Sequence, residues 1–402
     1  MLILKFVCGI ILKGDYFVKS EIINRRVQRM IVMNIEIDNF MSFNNFAMNL
    51  SYPKKIVNSS IQNEFLTGFS NFRYKKVNIL MGANATGKTS FGKMLMKIFN
   101  FMDKKQYTQI ASVIADTNKE ATFCIDFVTN LRYLFRVNTV ISPPDEGEKL
   151  TGKNIDVSVR YVEIQKKDSY ESCLKRILET KQEKCDNYLE ELEKVTGLSW
   201  SFAYPEDDSA VELFRAPKDS HTFIRILDFI LRALDPSIVS VDRLSEVEGA
   251  YAIRTKSKSA IIQDGQTPDI GWLSSGTKSG IAIAAMIANM LEKKCEFFYC
   301  DEKFSFIHGD IEKALLSVMI ELLGDNTQLF FTTHNTDILD MQLPKHSYTF
   351  MKKEVYGENS KIECINASEI LKRSTDSLKS AVENDLFSSA PATDLIYDIL
   401  DI

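Results

Sequence analysis

The chain has 402 residues, 45% of them apolar and 26% charged, with a formal net charge of −5. That balance belongs to a globular chain with ample core, and it excludes both a disordered chain and a wholly basic nucleic-acid binder. Seven cysteines without a C-x-x-C pair fit reduced thiols in a cytoplasmic protein better than a disulfide framework or a zinc site.

No run reaches the roughly 18 apolar residues that a membrane-spanning helix needs. Residues 1–12 come nearest, and Lys5 interrupts them, so no membrane partner is expected. Residues 1–32 read as an extension of uncertain role. The first convincing strand is 33–43, where polar and apolar residues alternate, and 44–74 is expected to complete an antiparallel edge. Val77 to Met81 is a short apolar run suited to a buried parallel strand, and a helix is expected from Ser90 to Phe101. Between them lie Gly82, Ala83, Asn84, Ala85, Thr86, Gly87, Lys88, Thr89 and Ser90, which satisfy the phosphate-loop pattern G-x-x-x-x-G-K-[ST]. The glycines let backbone N–H groups close around phosphates, and the helix N-terminus adds a favourable dipole. These nine residues are therefore candidates for binding ATP. Lys88 would reach the outer phosphates, and the Thr89 hydroxyl would ligate Mg²⁺.

Two strand-like runs, 121–127 and 132–137, are joined by a turn at 129–131. A loop at 143–152 and a strand at 157–164 follow, which makes 33–165 the first part of a core. Residues 166–236 read as a mainly helical insertion. Its first stretch, 166–194, is highly charged, with Leu174, Ile177, Tyr188, Leu189 and Leu192 at roughly helical spacing. Residues 199–220 look like loop, and 223–234 is an amphipathic helix ended by Asp235-Pro236.

Residues 237–402 carry the rest of the core. Leu273-Ser274-Ser275-Gly276 precedes a helix that is apolar nearly all round, and an apolar strand then ends in Asp301-Glu302. Adjacent acids at the mouth of a buried strand are costly unless used. As a Walker B pair, Asp301 would hold Mg²⁺ and Glu302 would polarise the water attacking the γ-phosphate. A helix at 311–323 leads to a strand at 328–334 that ends in His334, and 365–402 reads as helical. Alternating strands and helices around a phosphate loop imply a mainly parallel sheet with the motifs at its carboxyl ends.

Phosphate loop, Ser-Ser-Gly, Asp-Glu and histidine, in that order, resemble the head of an ABC-type ATPase. Asn39-Phe-Met-Ser-Phe43, Leu273-Ser-Ser-Gly-Thr-Lys278 and the run from Phe331 to Asp340 are similar to the bacterial AAA-type ATP-binding proteins of anti-phage defence. That group includes RloA, the AriA subunit of the PARIS system and the ATPase half of OLD-family nucleases. The resemblance implies an α/β fold: an ABC-type P-loop head with a mainly parallel sheet, an antiparallel β edge and a helical insertion. It also implies that Ser274, Ser275 and Gly276 bind the γ-phosphate of ATP held by another subunit, and that His334 is the switch histidine. Glu302, His334 and Lys88 would then be the catalytic set of a slow ATPase, paired head to tail with itself.

Two departures stand out. No Q-loop glutamine is evident, and the segment after Glu302 lacks Ser-Ala-Leu-Asp, although His308 suits this group. The resemblance further implies a sensor or scaffold that controls a separate nuclease or toxin and answers a phage protein. The alternative is an SMC-like or recombination-repair ATPase that clamps DNA, whose long heptad arm 166–194 is too short to supply. A nucleotide-gated scaffold with negligible turnover is a third reading.

Overall fold

Runs of consecutive strands are interleaved with helices along the chain, and the helices set off the parallel strands. The computed structural model describes residues 30–401, apart from 58, 131, 182–184, 186, 196–197, 204–220, 248, 264–272, 358, 374 and 389–393. The first elements are β1 (Met30–Asp38), β2 (Phe46–Asn49), a small hairpin of β3 (Phe65–Leu66) and β4 (Phe69–Arg73), and β5 (Val77–Met81). Helices α1 (Lys88–Lys104) and α2 (Thr108–Ala111) come next, then β6 (Ala121–Thr129), β7 (Tyr133–Ile141) and β8 (Ile155–Glu163). Two short helices, α3 (Tyr170–Glu179) and α4 (Tyr188–Leu192), precede β9 (Trp200–Ala203) and α5 (His221–Leu234). A meander of β10 (Ile238–Arg243), β11 (Ala250–Thr255) and β12 (Ser259–Gln263) leads to α6 (Ser275–Leu291). The last large elements are β13 (Phe297–Asp301), α7 (Gly309–Leu322), β14 (Gln328–Thr332), β15 (Tyr348–Tyr356) and β16 (Asn359–Asn366).

The fold is α/β, as the sequence predicts. One sheet has the order β16-β15-β5-β14-β13-β9 and is parallel except at the β15–β16 hairpin. A second, antiparallel sheet runs β2-β1-β6-β7-β8. Strands β5, β13 and β14 are buried along their whole length and mostly apolar, and their side chains alternate between two cores. Leu80, Phe297, Tyr299 and Phe330 join Phe91, Leu95, Ile98 and Phe99 of α1, with Ile35, Ile37, Phe123 and Ile125 of the antiparallel sheet closing the layer. Ile79, Phe298, Cys300, Leu329 and Phe331 point the other way, into a core shared with α5, α6 and the β10–β12 meander. Helix α1 is thus clamped between two sheets, which fixes the phosphate loop at its start.

The structure moves several expected boundaries. Met30, Ile31 and Val32 are not extension: they are buried at no more than 1% exposure within β1, pairing with β6. The strand ends at Asp38 rather than at 43, because Asn39 and Met41 take left-handed conformations. The Asn39 side chain donates to the carbonyls of Asp116, Lys119 and Glu120, which rewards that turn. The charged stretch 166–194 gives two helices instead of one. Residues 200–203, expected as loop, form the edge strand of the parallel sheet, and 204–220 lie outside the described residues. The β10–β12 meander and the β15–β16 hairpin were not foreseen, and helix at the end of the chain begins only at Ala367, in short pieces.

One buried amide joins the two sheets. Gln328 accepts from the Val32 N–H at 3.0 Å and donates to the Val32 and Lys75 carbonyls, where β1 carries a bulge. The side chain takes the place of a missing ladder partner.

Candidate active site

Parallel register brings the motifs together. Asp301 pairs with Thr332, and Thr332 with Leu80, so β13, β14 and β5 end on one line. The phosphate loop, the Asp301-Glu302 pair and His334 leave the sheet side by side.

The loop is tight. Gly82 has φ +151°, and a Cβ there would meet the Met351 carbonyl oxygen at 2.3 Å, so the loop strand can lie against β15 only with glycine. Thr86 ties the loop across itself by donating to the Ala83 carbonyl at 2.9 Å. Gly87 is the N-cap of α1 and brings no side-chain cap, which leaves the first-turn N–H groups for a ligand.

Lys88 is buried at 3% exposure, and its ammonium donates to the carbonyls of Gly82 at 2.9 Å and Ala83 at 3.1 Å. It also lies 3.4 Å from Glu302 Oε1. Burial lowers its pKa, and Glu302 opposes that shift. The same Glu302 oxygen takes the Nε2–H of His334 at 2.8 Å. Hydrogen bonding from His334 holds the Glu302 carboxyl below the usual range, burial works against it, and Lys88 adds to the lowering. Glu302 itself sits at φ +42°, a strained backbone for a non-glycine residue. Thr332 Oγ1 holds it there by accepting the Glu302 N–H at 2.9 Å and donating to Asp301 Oδ1 at 2.7 Å.

Asp301 is 0% exposed, and burial pushes its carboxyl up, against the pull of the Thr332 and Thr89 hydroxyls. Its second oxygen, Oδ2, is buried without a hydrogen-bond partner. An orphan carboxylate oxygen beside a threonine hydroxyl fits a divalent cation, which would satisfy a group otherwise costly to bury.

Lys88, Thr89, Asp301, Glu302 and His334 are thus brought together, whereas the Ser-Ser-Gly turn is engaged elsewhere. Ser274 caps α6, accepting the Thr277 N–H at 3.1 Å. Gly276 packs on the segment after Glu302, where a Cβ would fall 2.8 Å from the Phe306 carbonyl oxygen. Trp272 lies outside the described residues. Sequence reasoning missed Thr332, which aligns both acids, and Tyr299, whose hydroxyl donates to the Lys88 carbonyl at 2.8 Å. A hydroxyl one strand over from the acids carries no local signal.

No protein-family model matches the chain, and no curated protein does either. Among solved structures it is similar to an SMC head bound to the C-winged helix domain of ScpA, with 12% identity and a TM-score of 0.46 over 85% of this chain and 99% of that one. It is similar also to the SMC head domain from Thermotoga maritima, with 14% identity and a TM-score of 0.39 over 82% and 97%. The recombination mediator protein RecF gives 8% identity and a TM-score of 0.40 over 83% and 98%.

Proposed function

We propose that the chain is an ABC-type ATPase head that works as a nucleotide-driven switch. The observation that carries this reading is the convergence of Lys88, Asp301, Glu302 and His334 at the carboxyl ends of three neighbouring parallel strands. In this reading the phosphate-loop amides and Lys88 bind the phosphates of ATP. Thr89 and Asp301 would hold a divalent cation, whose charge would offset that of the phosphates. Glu302 orients and polarises the attacking water. Lys88 and His334 both face Glu302 Oε1, at 3.4 Å and 2.8 Å. Phosphate oxygens compete for both donors, which frees Glu302 and raises its basicity at the moment it is needed.

The Ser274–Gly276 turn is then the surface offered to the nucleotide of a second copy, and ATP between the copies supplies the differential affinity for a closed pair. What the switch controls is proposed from the resemblance: a separate nuclease or toxin, released when a phage protein is sensed. The second reading is an SMC-like or recombination-repair ATPase that clamps DNA. Among the described residues between 166 and 236 no helix exceeds the 14 residues of α5, so that reading takes a head without a long heptad arm in the described part of this segment. The basic pairs Lys104-Lys105 and Lys352-Lys353 read as solvated surface, and they are partly neutralised, with Lys105 near Glu193 and Lys352 between Glu354 and Glu363. Among the described residues no helix is long and apolar enough to cross a membrane.

The defence role is tested in the native locus by plating phage on strains carrying Lys88→Met or Glu302→Gln. Both variants are expected to lose protection. Protection equal to wild type in either strain would contradict an ATP-driven sensor.

A further inference from the structure

Glu312 stands on the first turn of α7 and is 3% exposed. A carboxylate this deep is costly unless its oxygens are occupied. Both are: Oε1 accepts from Thr333 Oγ1 at 2.7 Å, and Oε2 from Asn335 Nδ2 at 2.8 Å. Those donors flank His334. The Asn335 N–H returns to Thr333 Oγ1 at 2.9 Å, and Asn335 Oδ1 accepts the Asp337 N–H at 2.9 Å, capping the following turn. The backbone therefore folds around one carboxylate, and His334 between the two donors reaches Glu302 Oε1 at 2.8 Å.

The attachment crosses elements. His334 follows β14, while Glu312 belongs to α7, the helix reached from Glu302 through the turn at 303–308. Gly309 marks how closely the helix start approaches the loop, since a Cβ there would lie 3.0 Å from Asn335 Nδ2. Burial pushes the Glu312 carboxyl up, and the bonds from Thr333 and Asn335 pull it down. Two donors on one carboxylate match its ionised, acceptor-only form.

We propose that Glu312 is a positioning residue for ATP hydrolysis: it fixes the loop that aims His334 at Glu302, so that a movement of α7 becomes a movement of His334. The same turn carries Phe306, against which Gly276 packs, so α7 is also the element through which the Ser-Ser-Gly turn would reach the histidine. The inference rests on the ATPase reading above. A purely architectural Glu312 would affect stability without acting through His334, and the two are separable.

The test compares steady-state ATP hydrolysis and ATP affinity in wild type, Glu312→Gln, Asn335→Ala, His334→Ala and the Glu312→Gln/His334→Ala double variant. Gln keeps the size but presents an NH₂ group to one of the two donors. Glu312→Gln is expected to lower kcat about tenfold with KM and ATP affinity within about twofold, the pattern of a lost transition-state arrangement. The double variant is expected to be no slower than His334→Ala, because residues acting as a unit do not add. Asn335→Ala removes one of the same bonds and reads the same effect should Glu312→Gln fold poorly. Unchanged kcat in both Glu312→Gln and Asn335→Ala, or losses that multiply in the double variant, overturns the inference alone. A wild-type chain without Glu302-dependent hydrolysis overturns the ATPase reading and this inference with it.

Discussion

Glu302→Gln is expected to bind ATP as tightly as wild type and to hydrolyse it at least about a hundredfold more slowly, the usual worth of a positioned general base. The substitution keeps the side-chain length and one acceptor oxygen for His334 Nε2–H or Lys88, so the site stays assembled. It removes the carboxylate that would take a proton from water in the Lys88–Glu302–His334 cluster. The depressed carboxyl sharpens the expectation. A group held ionised by His334 and Lys88 is a weak base until those partners turn to phosphate, and a glutamine has no basicity to recover. Phosphate release at saturating ATP, read beside a direct binding titration, checks this. Turnover within a few-fold of wild type would remove Glu302 from the mechanism.

Lys88→Met is the second large effect, and it falls on binding. The ammonium is buried among the Gly82 and Ala83 carbonyls and Glu302, so it is already aimed at the space the loop encloses. Its hydrogen bonds to phosphate would be charge-assisted, worth about 1.5–3 kcal/mol, so affinity for ATP is expected to fall by about ten- to a hundredfold. The vacated carbonyls also lose a donor, and Glu302 loses a cation that lowers its carboxyl, so its pKa rises. Calorimetric titration with Mg²⁺-ATP reads the first effect. An unchanged dissociation constant would show that the loop does not bind triphosphate through this lysine.

The chemistry was more legible in the sequence than the frame that aims it. The spacing of Gly82, Gly87, Lys88 and Thr89 is a local signal, because a phosphate loop is built from consecutive residues. Asp301-Glu302 and His334 stood out because each ends an apolar run, and a parallel sheet collects such ends along one edge. Residues 200–203 were lost because four residues without alternation, next to a charged stretch, carry no periodicity to read. The roles of Gln328 and Glu312 depend on partners across the fold, Val32 for one and the two neighbours of His334 for the other. Chain order does not encode those meetings. The Ser-Ser-Gly turn falls between these cases, since its place before an apolar helix was readable but the Ser274 cap and the packing on Phe306 were not.

The central claim is a head that closes on a second copy when it holds ATP. Light scattering of purified Glu302→Gln protein, with and without Mg²⁺-ATP, tests it most directly. The account predicts the 45.8 kDa mass of one chain without nucleotide and about twice that with Mg²⁺-ATP. A mass that stays at one chain with ATP bound, or a dimer indifferent to nucleotide, would contradict it.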